Sequence, residues 1–232
     1  MNWLSTLLAT TEISLAVITI RLFLSLILAG LIGLEREKHN QPAGLRTHIL
    51  IGLGSTLLML VSIYIPQTFR NFQNGDPGRI AAQVVSGIGF LGAGAIIRLG
   101  LNIKGLTTAA SIWTVAAIGL AVGSGMYAAG LIATAFTLFT LILIDKFEKK
   151  IFPQVIMKRL EIVFTGNQIR NEEVLEIFSK FNISVVSYDI TQALDKKTSK
   201  MQFVVRIPKN TDYKSLYKKL RLIEGIKTVK LE

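Results

Sequence analysis

Cysteine is absent from this chain, which removes disulfides, thiolate metal sites and cysteine nucleophiles without fixing a redox compartment. Acidic side chains are almost as scarce at first: Glu12, Glu35, Glu37 and Asp76 are the only four in residues 1–144. No nucleotide-binding loop, nucleophile triad or metal-hydrolase cluster can be read, so neither an enzyme nor a bound cofactor or metal is expected. The net charge of +11 raises the question of nucleic acid, but no nucleic-acid motif accompanies it and the basic residues gather mostly on one predicted side of a membrane.

What is present is apolar length. Half the residues are hydrophobic, 18% are charged and the mean hydropathy is +0.49, so the bilayer is the expected solvent for most of the chain. About 20 apolar residues cross a hydrocarbon core as a helix. Five spans are expected near 13–34, 45–65, 80–97, 106–122 and 125–144, the last two joined by Gly123-Ser124-Gly125. The first run has no basic region before it, carries Arg21 inside it and shows no small-residue cleavage site, so it reads as a retained span. Arg36, Lys38, Arg46, Arg98, Lys104, Lys146, Lys149 and Lys150 then share one side, against Arg70 and Arg79 on the other. The positive-inside rule places the N-terminus outside and the C-terminus in the cytoplasm. An offset of 61 residues aligns Ser25 with Ser86, Gly33 with Gly94, Gly44 with Gly105, Leu45 with Leu106 and Thr47 with Thr108, which reads either as a parallel repeat or as shared membrane-helix composition.

Within that frame the blocks GLEREK (33–38), AGLRTH (43–48), DPGRIAAQVVSGIGFLGAGAIIR (76–98) and GLTTAASIWTVAAIGLAVG (105–123) stand in order. Together they resemble the MgtC/SapB family of bacterial membrane proteins over about residues 20–145. The resemblance implies residence in the bacterial inner membrane, a link to growth in low magnesium, virulence in some pathogens, and inhibition of the membrane ATP synthase by some members.

After Pro153 the pattern changes. Segments Lys158–Thr165, Glu172–Phe181, Ile183–Thr191, Lys200–Ile207, Tyr213–Glu224 and Ile226–Leu231 alternate as strand, helix, strand, strand, helix, strand, the βαββαβ order of a ferredoxin-like α+β module. The division is therefore 1–150 for the α-helical polytopic domain and 151–232 for a cytoplasmic domain. MgtC-like proteins often carry an ACT-like domain here, and the ending from Leu222 to Val229 is similar to one. The loop Gly166–Arg170 lacks the ligand loop of amino-acid-sensing relatives, so amino-acid binding is not expected.

Several side chains are candidates, each with a plainer reading beside it. Arg21, a third of the way into the first span, requires an acceptor; Asp76 is its candidate partner, and snorkelling to headgroups is the plain alternative. Asp76 before Pro77 is good N-cap chemistry, while Arg79 and Gln83 one and two turns on suggest a polar network. Glu35, Arg36 and Glu37 face Arg46, Thr47 and His48 across the first loop, either as local ion pairs or as a site for a phosphate, a lipid headgroup or a partner protein. Arg98 belongs to the second loop, and Thr107 and Thr108 serve either as packing glue or as a pathway. Trp113 in mid-span needs a packed partner for its indole N–H. Gly87, Gly89, Gly92, Gly94 and Gly105 are expected at close helix contacts, within the chain or in a homo-oligomer.

Two classes of function remain. One is a regulatory membrane protein of magnesium homeostasis or membrane energetics, docking on a membrane ATPase or another membrane complex. The other is an ion transporter or channel, against which stands the lack of an in-span carboxylate cluster, since Mg²⁺ prefers octahedral oxygen ligands.

Overall fold

The computed structural model describes residues 13–69, 76–151, 155–165, 170–193 and 198–232. Arg70, the loop residues 166–169 and the side chain of Lys149 lie outside the described residues. The chain forms two compact units, residues 1–99 with 103–147 and residues 100–102 with 148–232.

In the first unit, α1 (Leu15–Lys38) and α2 (Leu45–Thr68) are 24-residue helices, each about 36 Å long at 1.5 Å per residue and so sufficient to cross a bilayer core. Ser14 starts α1 by accepting from the Val17 N–H at 3.3 Å, which satisfies one of the donors that a helix start leaves open. The helices α4 (Leu106–Gly123) and α5 (Tyr127–Phe139) follow α3 (Arg79–Gly94). The path of α5 continues through a π-helical turn, Thr140–Ile144, into α6 (Asp145–Ile151). Among the described residues, four helical stretches are long and apolar enough to cross a membrane: Leu15–Lys38, Leu45–Thr68, Leu106–Gly123 and Tyr127–Glu148.

The expected third span is shorter than the pattern suggested. It ends at Gly94, and Ile97–Leu99 (β1) pairs instead with Asn102–Lys104 (β2) in a two-stranded ribbon. Its 16 residues reach only about 24 Å. Gly92, Gly94 and Gly100 explain the early end: each lowers helix propensity, and Gly100 takes φ +61 at the ribbon turn.

Helix α4 is the hub, touching α1, α2, α3 and α5. Its Val115, Ile118 and Val122 pack with Leu28, Ala29 and Ile32 of α1 and with Leu141, and its Ile112 and Ala116 pack with Ala43 and Ile88. Large apolar side chains such as Phe23, Leu50, Phe90 and Phe136 point outward, the reverse of a water-soluble surface and the arrangement hydrocarbon favours.

The second unit has β3 (Val155–Thr165), α7 (Asn171–Lys180), β4 (Ser184–Ala193), β5 (Thr198–Pro208), α8 (Tyr213–Leu220) and β6 (Ile226–Leu231). Its four strands run antiparallel in the order β4-β5-β3-β6. Met201, Phe203, Val205 and Ile207 of β5 alternate inward, onto Val174 and Phe178 of α7 and Leu216 and Leu220 of α8, the period-2 pattern of a half-buried strand. Phe178 meets Phe203 edge to face at 5.3 Å between ring centroids, a favoured aromatic geometry. Helix α8 stops at Leu220, four residues before the expected end. The chain must reverse through Gly225, at φ +88, to enter β6.

Candidate functional site

Two polar clusters are built into the helical unit. In the first, Arg21 is buried, with Nη1 donating to the carbonyl of Gly123 at 2.7 Å and Nε to the Tyr127 hydroxyl at 3.1 Å. Its guanidinium also lies 5.9 Å from the Tyr127 ring centroid. The cation therefore sits at the C-terminal end of α4, where the helix dipole and unpaired carbonyls attract positive charge. This corrects the sequence expectation twice: the partner is neither Asp76 nor the headgroups. The acceptors lie 102 and 106 residues away, a separation at which no local pattern could reveal them.

Asp76 is exposed, and its Oδ1 accepts from the Gly78 N–H at 2.7 Å. Gly78, not Asp76, is the N-cap of α3, so the carboxylate shapes the approach to the helix rather than capping it. Arg79 and Gln83 are exposed, and the expected Asp76–Arg79–Gln83 network is not among the described hydrogen bonds or ion pairs.

The second cluster joins the α1 end to the starts of α2 and α4. Glu35 and Arg36 are buried and ion-paired side by side. Nδ1 of His39 lies 2.9 Å from both the carbonyl and Oε1 of Glu35, and Oε1 has no partner of hydrogen-bond geometry. Oε2 of Glu37 accepts from the Leu45 N–H at 3.0 Å, closing the start of α2. A Cβ at Gly44 would lie 1.7 Å from that oxygen, so this turn excludes any side chain.

His48 is fully buried, with Nδ1 2.8 Å from the Gly44 carbonyl and Nε2 3.0 Å from Ser111 Oγ. A carbonyl only accepts, so Nδ1 carries the proton, and the neutral ring leaves Nε2 to accept from the Ser111 hydroxyl. That hydroxyl also lies 2.8 Å from the Thr108 carbonyl, giving it an alternative acceptor. Thr108 is buried and its Oγ1 donates to Gln41 Oε1 at 3.4 Å. Arg46, Thr47, Arg98 and Thr107 are exposed.

The glycine expectation is redistributed. A Cβ at Gly87, Gly89 or Gly94 would meet nothing within 4 Å, and at Gly92 would make ordinary contact with Ala109 at 3.7 Å. The close approaches belong instead to Gly52, Gly119 and Gly123, where an added Cβ would lie 2.7 Å from Ala29 Cβ, 2.6 Å from the Gly52 carbonyl oxygen and 2.7 Å from Met59 Cβ. The missed signal was the recurrence of Ser111, Gly119 and Gly123 at multiples of four, one stripe of α4. Gly105 does require its identity, with φ +91 and Ala95 O only 2.0 Å from an added Cβ. Trp113 is 51% exposed, so it lies on the bundle's outer surface rather than in an interface within the bundle. The repeat expectation divides similarly. Gly44 and Gly105 both precede their helices, but Gly33 is tight against Leu45 while Gly94 is open.

Among the described residues, no three His, Cys, Asp or Glu side chains are grouped to hold a metal. The arrangement ties helix ends together: Arg21 holds α1 to α4 and α5, His48 holds α2 to α4, and Thr56 of α2 donates to the Gly119 carbonyl of α4 at 2.9 Å.

Comparison with known proteins agrees in reach and family. The chain is 37% identical over 214 residues to "Putative magnesium transporter YhiD" of Escherichia coli K12, covering 91% of this chain and 97% of that one. It is 33% identical over 222 residues to protein SapB of Bacillus subtilis, covering 93% and 95%. It is 42% identical over 132 residues to protein MgtC of Salmonella typhimurium LT2, covering 57% of this chain and 54% of that one. No solved structure matches. With the family profile matching residues 22–150, and with the helical unit built from those residues, this chain is a multi-pass membrane protein that belongs to the MgtC family.

Proposed function

We propose that the protein is a non-enzymatic regulator of magnesium homeostasis or membrane energetics in the bacterial inner membrane, acting on another membrane complex such as an ATPase. The observation that carries this reading is the internal use of the bundle's polar groups. Arg21, His48, Thr56 and Ser62 each bond a backbone carbonyl or a neighbouring helix, the pattern of a closed scaffold rather than of a hydrated path. In this reading α3 also crosses the bilayer, shortened by local thinning, so that five spans leave the N-terminus outside and the C-terminal unit in the cytoplasm. That unit serves as an ACT-like assembly or sensing module at residues 151–232.

The second reading, an ion transporter, is favoured by the name of the E. coli relative. Growth in low magnesium separates the two in a strain deleted for its own MgtC-family gene. The regulatory reading predicts that expression restores growth and shifts membrane potential while the initial rate of Mg²⁺ uptake stays unchanged. An uptake rate rising in proportion to the amount of protein would replace it with transport.

A further inference from the structure

An apolar groove of about 1070 Å³ runs between α2 and α3, walled by Leu50, Gly54, Leu58, Val84, Gly87 and Leu91. It is wide because Gly54, Gly87 and Gly94 carry no side chain, and a Cβ at any of them would meet nothing within 4 Å. In hydrocarbon such a groove is filled by apolar matter, since water there would lack polar partners.

At one end the groove meets a second cavity of about 550 Å³, lined by Glu37, Asn40, Gln41, Gly44 and Arg46. Pro42 and Thr47 line both cavities, so the two adjoin across these residues. The polar cavity lies at the loop between α1 and α2, where a chain leaving the bilayer reaches the headgroup layer. One exposed guanidinium and one carboxylate face the same small space. The site as a whole is the mould of an amphiphile: a long apolar slot ending in a pocket that presents both signs of charge.

We propose that these two adjoining cavities together bind one phospholipid of the phosphoethanolamine type. An acyl chain lies along Gly87 and Gly94, the phosphate meets Arg46 with the amides of Asn40 and Gln41, and the ammonium meets the Glu37 carboxylate. Arg suits phosphate because its fork of N–H donors matches two phosphate oxygens. Glu37 discriminates among headgroups: it already accepts from Leu45 but retains further lone pairs, which attract an ammonium and repel a second anion. A fatty acid would bring a carboxylate against Glu37. A helix from a second copy would fill the slot but leave the paired charges unanswered.

The test is lipid retention by the purified full-length protein, read by native mass spectrometry after adding dioleoyl phosphatidylethanolamine, dioleoyl phosphatidylglycerol or dioleoylglycerol. The expected result is one phosphatidylethanolamine per protomer, held about tenfold more tightly than either competitor, a factor typical of one charged contact. Gly87→Leu should abolish retention by filling the slot. Arg46→Gln should weaken it with the slot intact, and Gly89→Leu, outside the lining, should leave it unchanged. Equal retention of all three lipids would overturn the proposal, as would full retention by both Gly87→Leu and Arg46→Gln. A Gly87→Leu protein that loses a dimer while keeping its lipid would assign the slot to a second copy instead. Should Gly87→Leu fail to fold, the Arg46→Gln arm and the three-lipid comparison decide alone.

Discussion

Arg21→Met is the sharpest perturbation of the helical unit, because two opposing terms of known size meet at one side chain. The substitution removes a charged donor from the Gly123 carbonyl and from the Tyr127 hydroxyl. Hydrogen bonds to charged groups contribute about 1.5–3 kcal/mol each, so roughly 3–6 kcal/mol is lost. Against this, withdrawing an ionised group from within a span returns about 2.5–3.5 kcal/mol. At the midpoints of these ranges the difference is a net destabilisation of about 1.5 kcal/mol, within limits of about −0.5 to 3.5 kcal/mol. Tyr127→Phe removes one acceptor and leaves the other, so the pair should couple by about 1.5–3 kcal/mol in a double-mutant cycle. Equilibrium unfolding of the full-length protein in mixed micelles of rising dodecyl sulfate content reads both quantities. An Arg21→Met protein at least as stable as the parent, with strictly additive behaviour alongside Tyr127→Phe, would refute the reasoning and return Arg21 to the headgroups.

Further outcomes follow from the same geometry. Gly119→Ala sets a methyl 2.6 Å from the Gly52 carbonyl oxygen and should destabilise by about 1–3 kcal/mol through overpacking; Gly87→Ala meets nothing and should be neutral or stabilising by about 0.5–1 kcal/mol, the same unfolding experiment giving both. Paired alkaline phosphatase and fluorescent-protein fusions after Lys104 and after Ile144 should both report the cytoplasm, whereas phosphatase activity at Ile144 would reverse the topology. Residues 155–232 should fold alone, since the core from Leu160 to Ile223 is internal to them, and a cooperative thermal transition of the fragment checks this. In that fragment the Ser215 hydroxyl and backbone N–H hold the Asp212 carboxyl below its usual range. A carboxyl depressed in the folded state adds stability above its unfolded pKa and loses it as pH falls through the folded value. The Asp212 contribution should therefore be constant from neutral pH down to about pH 5, begin to fall near the unfolded carboxyl value of about 4 and be lost only as pH drops through the still lower folded value, and Asp212→Asn should flatten that part of the acid limb.

How much of this was legible in the sequence depends on range. The long helices were, because a run such as Leu106–Gly123 is apolar beyond any globular need, and α4 was expected at 106–122 and found one residue longer. The strands were also legible: β6 coincides with its expected bounds and β5 extends its expectation by a few residues, since alternation is a local signal. The end of α3 was not, because continuous apolarity from 80 to 97 hid glycines that weaken a helix without making it polar. Partnerships were the least legible. Asp76 looked suited to Arg21 by sign, yet the guanidinium found a helix end, and unpaired carbonyls leave no mark in composition. Likewise the glycines of α3 and those of α4 look alike in sequence, and only the packing of α4 at the hub distinguishes tight from open.

The central claim, that the bundle is a closed regulatory scaffold, is tested most directly by Mg²⁺ flux into proteoliposomes of the purified full-length protein, followed with an entrapped magnesium dye under an imposed membrane potential. A closed scaffold gives rates equal to those of empty vesicles at every protein-to-lipid ratio. A flux that rises with the amount of protein and saturates with external Mg²⁺ would contradict it.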